Sequence, residues 1–227
     1  FVFLGIFIIL QLKIKYPLMN IKILKYKMFT LGLITVFMPM ASVLAFAFLI
    51  PILAQMGLGE NAVKASFILL PGTLFSGILA PFMGAKYSKI GIRLLLIPGF
   101  IIMSLSMLFL VFIEITFTTT LIGYICFMTG AAFCQVPAQT NALNALPQAY
   151  NADGTAILST LQQTAGAAGT ALASVVLSYG AKKAYNAGID NIYVYGVNYG
   201  FILCLVFVLI GLFAALQLKT TLEKENV

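Results

Sequence analysis

Four side-chain amides sit inside runs that are otherwise apolar or small. Gln135 and Gln139 stand at i and i+4 in Gln135-Val-Pro-Ala-Gln139, and Gln162 and Gln163 lie in Leu158-Ser-Thr-Leu-Gln-Gln-Thr-Ala-Gly166. An amide donates and accepts hydrogen bonds but does not titrate, so these residues suit the holding of a polar solute and not the transfer of a proton. In hydrocarbon such a group is costly unless it faces protein or water. Ser159, Gln162, Gln163, Gly166, Thr170 and Ser174 share one helical face, at steps of three and four. Both amide-bearing segments place their glutamines about four residues from the helix centre on the same side, or ~6 Å at ~1.5 Å per residue. Gln135, Gln139 and Gln163 are therefore the main candidates for lining a cavity, with Ser159 as a lesser contact. The other reading of the same residues is interhelical hydrogen bonding, worth about 0.6 kcal/mol each. A further face carries Thr35, Met38, Pro39, Ser42 and Phe46. Met38, Ser42 and Phe46 on it suit an adaptable apolar pocket wall.

Other chemistry is missing from the sequence. There is no histidine. No Cys-x-x-Cys pair, Walker loop, nucleophile–base pair or zinc helix is present. Cys126, Cys134 and Cys204 all fall in apolar runs and read as small buried hydrophobes. No enzyme activity, cofactor or metal is expected, and no nucleic acid partner. Asp, Glu, Lys and Arg are confined to the ends of the apolar runs, so the runs themselves hold no proton relay.

The elements that position the amides are membrane helices. The chain is 62% hydrophobic and 8% charged, with mean hydropathy +1.07. Soluble domains carry roughly 25% charge. Runs long enough to span a bilayer lie at about 29–54, 63–86, 92–113, 118–145, 155–179 and 196–217. They are continuous, not alternating, which excludes a membrane barrel. The expected fold is an all-α integral membrane protein built as a six-transmembrane-helix bundle over 29–217. Phe1–Leu12 is apolar but too short to span, and reads as the end of a truncated helix. Residues 13–28 interleave lysines with apolar residues, which suits a cytoplasmic linker with an interfacial helix near anionic lipid headgroups. Residues 218–227 form a tail.

Ten basic residues flank one side of these spans and three the other. The positive-inside rule assigns the ten, and with them the C-terminus, to the cytoplasm of a multi-pass cell-membrane protein. The spans at 92–113 and 196–217 are dominated by large apolar residues and should face lipid, while the other four should be internal. The peripheral helix comes third in each triplet, which suggests a three-plus-three repeat.

Three stretches carry a family resemblance over about residues 17–217. They are Leu69-Leu-Pro-Gly-Thr-Leu-Phe-Ser-Gly-Ile-Leu-Ala-Pro-Phe-Met-Gly84 with the following Ala-Lys-Tyr-Ser-Lys-Ile-Gly-Ile-Arg93, the segment Gln135–Pro147, and Gln162-Gln-Thr-Ala-Gly-Ala-Ala-Gly169. Together they resemble the fourteen-span drug:proton antiporter branch of the major facilitator superfamily. The resemblance implies the C-terminal six-helix half of a proton-coupled multidrug efflux antiporter that works by alternating access. Its substrate would be a small amphipathic or cationic molecule, and protons would be handled by the N-terminal half. An exporter of a dedicated metabolite or lipid, or a non-transporting membrane scaffold, are the alternatives. Gly84, Ser88, Lys89, Gly91 and Arg93 resemble the family's cytoplasmic loop motif. Ser88 stands where that motif's first-half copy has an acid, which leaves Gly91 as the tight turn and Lys89 and Arg93 as basic anchors. Many members carry Arg-Gln where this chain has Gln162-Gln163.

Overall fold

A computed structural model of the chain describes residues 21–218. The helix end expected at 1–12, residues 13–20 of the linker and residues 219–227 of the tail lie outside the described residues. A 3-10 turn at Ile21–Lys25 leads into α1 (Lys27–Ile52), which a π turn extends over Leu53–Gly57. Then follow α2 (Ala62–Ile90), α3 (Arg93–Phe112), α4 (Phe117–Asn144), α5 (Asn151–Asn186) and α6 (Ile192–Gln217). No strand occurs among the described residues. A bilayer leaves the backbone no donor or acceptor but its own, which is why each apolar run closes into a helix. The protein is an all-α integral membrane bundle.

Local signals set the helix ends. Asn61 accepts from the Lys64 N–H at 2.9 Å, Asn191 from the Val194 N–H at 3.1 Å, and Thr116 and Thr119 cap each other reciprocally. These start α2, α6 and α4. Gly91 ends α2 at φ 80°, ψ 167°, a conformation that only glycine takes without strain. Asn191 also donates to the Gly57 carbonyl at 2.6 Å, which ties the start of α6 to the π turn after α1.

α1 and α4 are the two central helices. They pack on each other; α1 also packs on α5 and α6, and α4 on α2 and α3. α3 and α6, the pair expected to face lipid, pack on each other. This arrangement has the form of the three-plus-three repeat, with α1–α3 matched to α4–α6. The match breaks at one place: α5 packs along α6, whereas α2 scarcely touches α3.

Small residues let these helices approach. A Cβ on Gly169 of α5 would overlap the Ala41 carbonyl of α1. A Cβ on Gly130 of α4 would lie 2.6 Å from the Gly99 carbonyl of α3. Around the middle of α1, the Phe46 ring meets Tyr124, Phe127 and Phe201 edge-on at 5.0–5.3 Å. That cluster joins α1, α4 and α6, and such edge-to-face pairs contribute beyond the area they bury.

Two helices stand out within this bundle. Only 22% of the most apolar window of α2 is buried within this bundle, against 56% for α1 and α4, so α2 is its most open helix. Its contacts run to α4 through Gly72 against Tyr124 and Gly84 against Val136. The opposite face, with Phe67, Leu74, Ile78 and Phe82, is exposed. α5 is the other exception. Five of the six described helices are long and apolar enough to cross a membrane, and α5 is the sixth. Its Thr155, Thr160, Thr164 and Ser178 hydroxyls are exposed and bond back to carbonyls of α5 itself.

Candidate functional site

The central cleft is built on α1. Pro39 interrupts the α1 ladder, since it has no N–H to give the Thr35 carbonyl. The Thr35 hydroxyl is turned onto its own helix, bonding the Gly32 carbonyl at 2.7 Å. Thr35, Pro39 and Val43, at successive i+4 steps, form the floor of a narrow cleft. Ala131 and Gln135 of α4 make one wall, and Gln162 of α5 makes the other. In this conformation the cleft is closed down to about the size of one water molecule.

No hydrogen bond among the described residues engages the Gln135, Gln139, Gln162 or Gln163 side chains, so none of these four amides bridges two helices. The cleft lining includes no titratable side chain, so it is electrostatically neutral. Its polar capacity consists of two amides with donors and acceptors to offer.

The structure divides the residues singled out from sequence. Gln135 lines the cleft. Gln139, one turn further along α4, is half-buried and outside the lining. Gln163 and Ser159 are exposed on α5 and outside the lining, where the adjacent Gln162 takes the place expected for Gln163. Ser42 is fully buried, with its hydroxyl on the Cys204 carbonyl at 3.2 Å, and Phe46 is the centre of the aromatic cluster. Both therefore sit in the packing core. Met38 faces a separate groove that includes Leu161. The physical reason is rotation by 100° per residue: Met38, Ser42 and Phe46, at i+4 steps one residue off the Thr35–Pro39–Val43 row, turn away from the cleft, and Phe46 packs among the rings of α4 and α6.

The arrangement of helices also differs from the sequence-based picture. α4 and α5 do not pack side by side. α1 lies between them, and Gln135 and Gln162 face across it. Sequence reasoning named Gln162 on the shared face but did not carry it into the site. The available signal was its position four residues before Gly166 and seven before Gly169, on the face that touches α1.

Of the expected buried cysteines, Cys134 and Cys204 are buried, while Cys126 is exposed on α4. In the loop motif, Gly84 packs on Val136 and Gly91 makes the turn, as described above. Ser88 lies in the last turn of α2, and Lys89 is exposed there. Arg93 reaches the end of α6: its Nε donates to the Leu218 carbonyl and its guanidinium NH2 to the Leu216 carbonyl at 3.2 Å.

Comparison with known proteins matches this architecture. A family model described as Major Facilitator Superfamily matches residues 9–170. The Lincomycin resistance protein LmrB of Listeria innocua is 40% identical over 212 residues, covering 86% of this chain and 45% of the relative. The protein of the same name in Bacillus subtilis is 38% identical over 226 residues, 95% of this chain and 47% of the relative. The uncharacterized MFS-type transporter YcnB of Bacillus subtilis is 30% identical over 220 residues, 95% and 46% respectively. The chain thus spans a little under half the length of the curated relatives it matches. A helical membrane bundle with this repeat, this loop motif and these relatives belongs to the major facilitator superfamily.

Proposed function

We propose that this chain is the C-terminal half of a proton-coupled multidrug efflux antiporter that works by alternating access. The observation that carries the reading is the pair of amides, Gln135 and Gln162, set across the α1 floor with no hydrogen-bond partner among the described residues. Amides at membrane depth are retained where a polar solute or water passes. The polar, uncovered face of α5 supports the same reading, because it is a poor surface for lipid. The relatives named for lincomycin resistance support a drug as the solute.

In this proposal the rest of the protein packs against the open faces of α2 and α5. The cleft widens when the two bundles rock apart, and the walls around Gln135 and Gln162 then meet a small amphipathic or cationic substrate. Gln139, Gln163 and Ser159 extend the lining in that open state. Protons are taken by carboxylates in the other half, since the cleft here contains none. The C-terminus faces the cytoplasm.

The test uses the complete protein in inside-out membrane vesicles. Drug accumulation that follows an imposed pH gradient and collapses with a protonophore is expected. Drug movement insensitive to the protonophore would remove proton coupling, and no movement of any drug would remove the efflux reading.

A further inference from the structure

A second concavity lies on the other side of the α1–α5 seam from the cleft. It runs along Leu33, Ile34, Phe37 and Met38 of α1 and Leu161 of α5, and encloses about 520 Å³ counting its open side. Leu161 and Gln162 are chain neighbours, yet Gln162 lines the amide cleft and Leu161 lines this groove. Gly211 of α6 comes up beside Met38, so the groove lies on the flank of α1 that α6 borders. Its accessible lining is wholly apolar.

Leu24 of the 3-10 turn closes one end of the groove. The turn is fixed in place: Ile23 is in the core, and the Thr30 hydroxyl donates to the Leu24 carbonyl at 2.7 Å. Lys25 and Lys27, on either side of Tyr26, are therefore held at the groove's end, and both are exposed. No ion pair among the described residues engages them. α1 begins here at Lys27 without a side-chain cap. The same end of the bundle carries Lys86, Lys89 and Arg93 against one acid among the described residues, Asp153.

We propose that this groove holds an anionic phospholipid. One acyl chain lies along Ile34, Phe37, Met38 and Leu161, and the phosphate headgroup sits at Lys25 and Lys27. An apolar wall at membrane depth excludes a water-soluble ligand, since nothing in the groove replaces its hydration. The two lysines select a net-negative headgroup over a zwitterionic one, each by roughly five-fold. The site is separate from the amide cleft and does not depend on what the cleft carries.

The chain has no tryptophan, so one introduced tryptophan reports on its own surroundings. Phe37→Trp places the reporter in the groove. Leu209→Trp places it on the exposed face of α6 at comparable depth. Each variant of the full chain is reconstituted in phosphatidylcholine vesicles with a minor fraction of phosphatidylglycerol, and either lipid is brominated on its acyl chains. At equal mole fraction, brominated phosphatidylglycerol should quench Phe37→Trp several-fold more strongly than brominated phosphatidylcholine, and should show no preference at Leu209→Trp. Adding Lys25→Gln and Lys27→Gln should abolish the preference. Ile34→Trp gives the same reading should Phe37→Trp fold poorly. Equal quenching of the groove tryptophan by both lipids overturns the proposal. So does protection from both, which would show the groove filled by protein, for example by the residues before Ile21. A preference that survives loss of both lysines overturns the headgroup assignment.

Discussion

Arg93 of α3 donates to the carbonyl of Leu218, just past the end of α6. A second guanidinium bond to Leu216 supplements it. At the opposite end of the same helix pair, Asn198 of α6 donates to the Val111 carbonyl near the end of α3, at 3.4 Å. Each of these two helices thus has its C-terminal carbonyls capped by a side chain from the other. Those carbonyls have no intrahelical donor, and in a membrane they have little water to replace it. The two caps make α3 and α6 one brace behind α1 and α4. The sequence motif showed that an arginine belonged at the start of α3 but not what it held.

Arg93→Gln should lower thermal stability, measured as a fall in Tm of the purified protein in detergent. Arg93 is largely exposed, so the loss should be modest, about 1 kcal/mol. Arg93→Lys should recover only part of it, because an ammonium cannot reproduce a planar fork across two carbonyls. Equal Tm values for wild type and Arg93→Gln would show that the cap carries no stability.

The turn that delivers Arg93 depends on Gly91. At φ 80° and ψ 167° a Cβ is strained whatever the space around it. Gly91→Ala should cost about 1–3 kcal/mol. Combined with Arg93→Gln it should cost less than the sum of the two single changes, since a distorted turn already misplaces the guanidinium. Additive losses in denaturation midpoints would separate the turn from the cap.

The bundle's helices were legible because apolar runs of spanning length leave the backbone one solution. Gly91 and the Gly166–Gly169 face were legible because glycine has few other uses at such places. The site was legible in type and less so in detail. Gln135 was recognisable as an amide at membrane depth, but choosing between Gln162 and Gln163 needs the rotation of α5 about its axis. Ser42 and Phe46 share α1 with the cleft floor, yet packing by α4 and α6 buries them. The placement of α1 between α4 and α5 is a long-range relationship, and helical periodicity within one segment has no term for it.

Two glycines allow the close approaches to be tested against a control. Gly169→Ala would push a methyl into the Ala41 backbone, where no flexible side chain can give way. Separation of α1 and α5 should cost about 1–3 kcal/mol. Gly77, on the exposed side of α2, has nothing within 4 Å of an added Cβ. Gly77→Ala should be neutral or stabilising by up to about 1 kcal/mol in this chain. Similar destabilisation by both changes, read from melting in detergent, would show that helix propensity and not close packing governs these positions.

Orientation can be read chemically. In a background lacking Cys126, Cys134 and Cys204, a cysteine at Asn186, at the end of α5, should react with an impermeant maleimide on intact cells. One at Gln148, in the turn before α5, should react only after the membrane is opened. The basis is the ten-to-three distribution of basic residues. The reverse pattern of labelling would invert the bundle and place Lys25 and Lys27 on the outer side.

The sharpest test concerns Gln135 and Gln162. Each is replaced by Leu, which keeps similar bulk and removes every donor and acceptor. Neither amide hydrogen-bonds another of the described residues, so loss of interhelical adhesion, about 0.6 kcal/mol per bond where it exists, should not occur. Membrane abundance and Tm of the complete protein should stay near wild type. If the two amides hold substrate, the relative resistance to different drugs should change in each single variant, most for the most polar drugs. The double variant should then change it by less than the product of the two, because both residues face one cleft. Gln163→Leu is the internal comparison: it is exposed and outside the lining, and should alter the profile less than Gln162→Leu. A fall in stability with an unchanged drug profile would make the two amides structural and remove them from the transport path. A larger effect at Gln163 than at Gln162 would mean that substrate meets α5 on its open face, and would move the site out of the cleft toward the partner bundle.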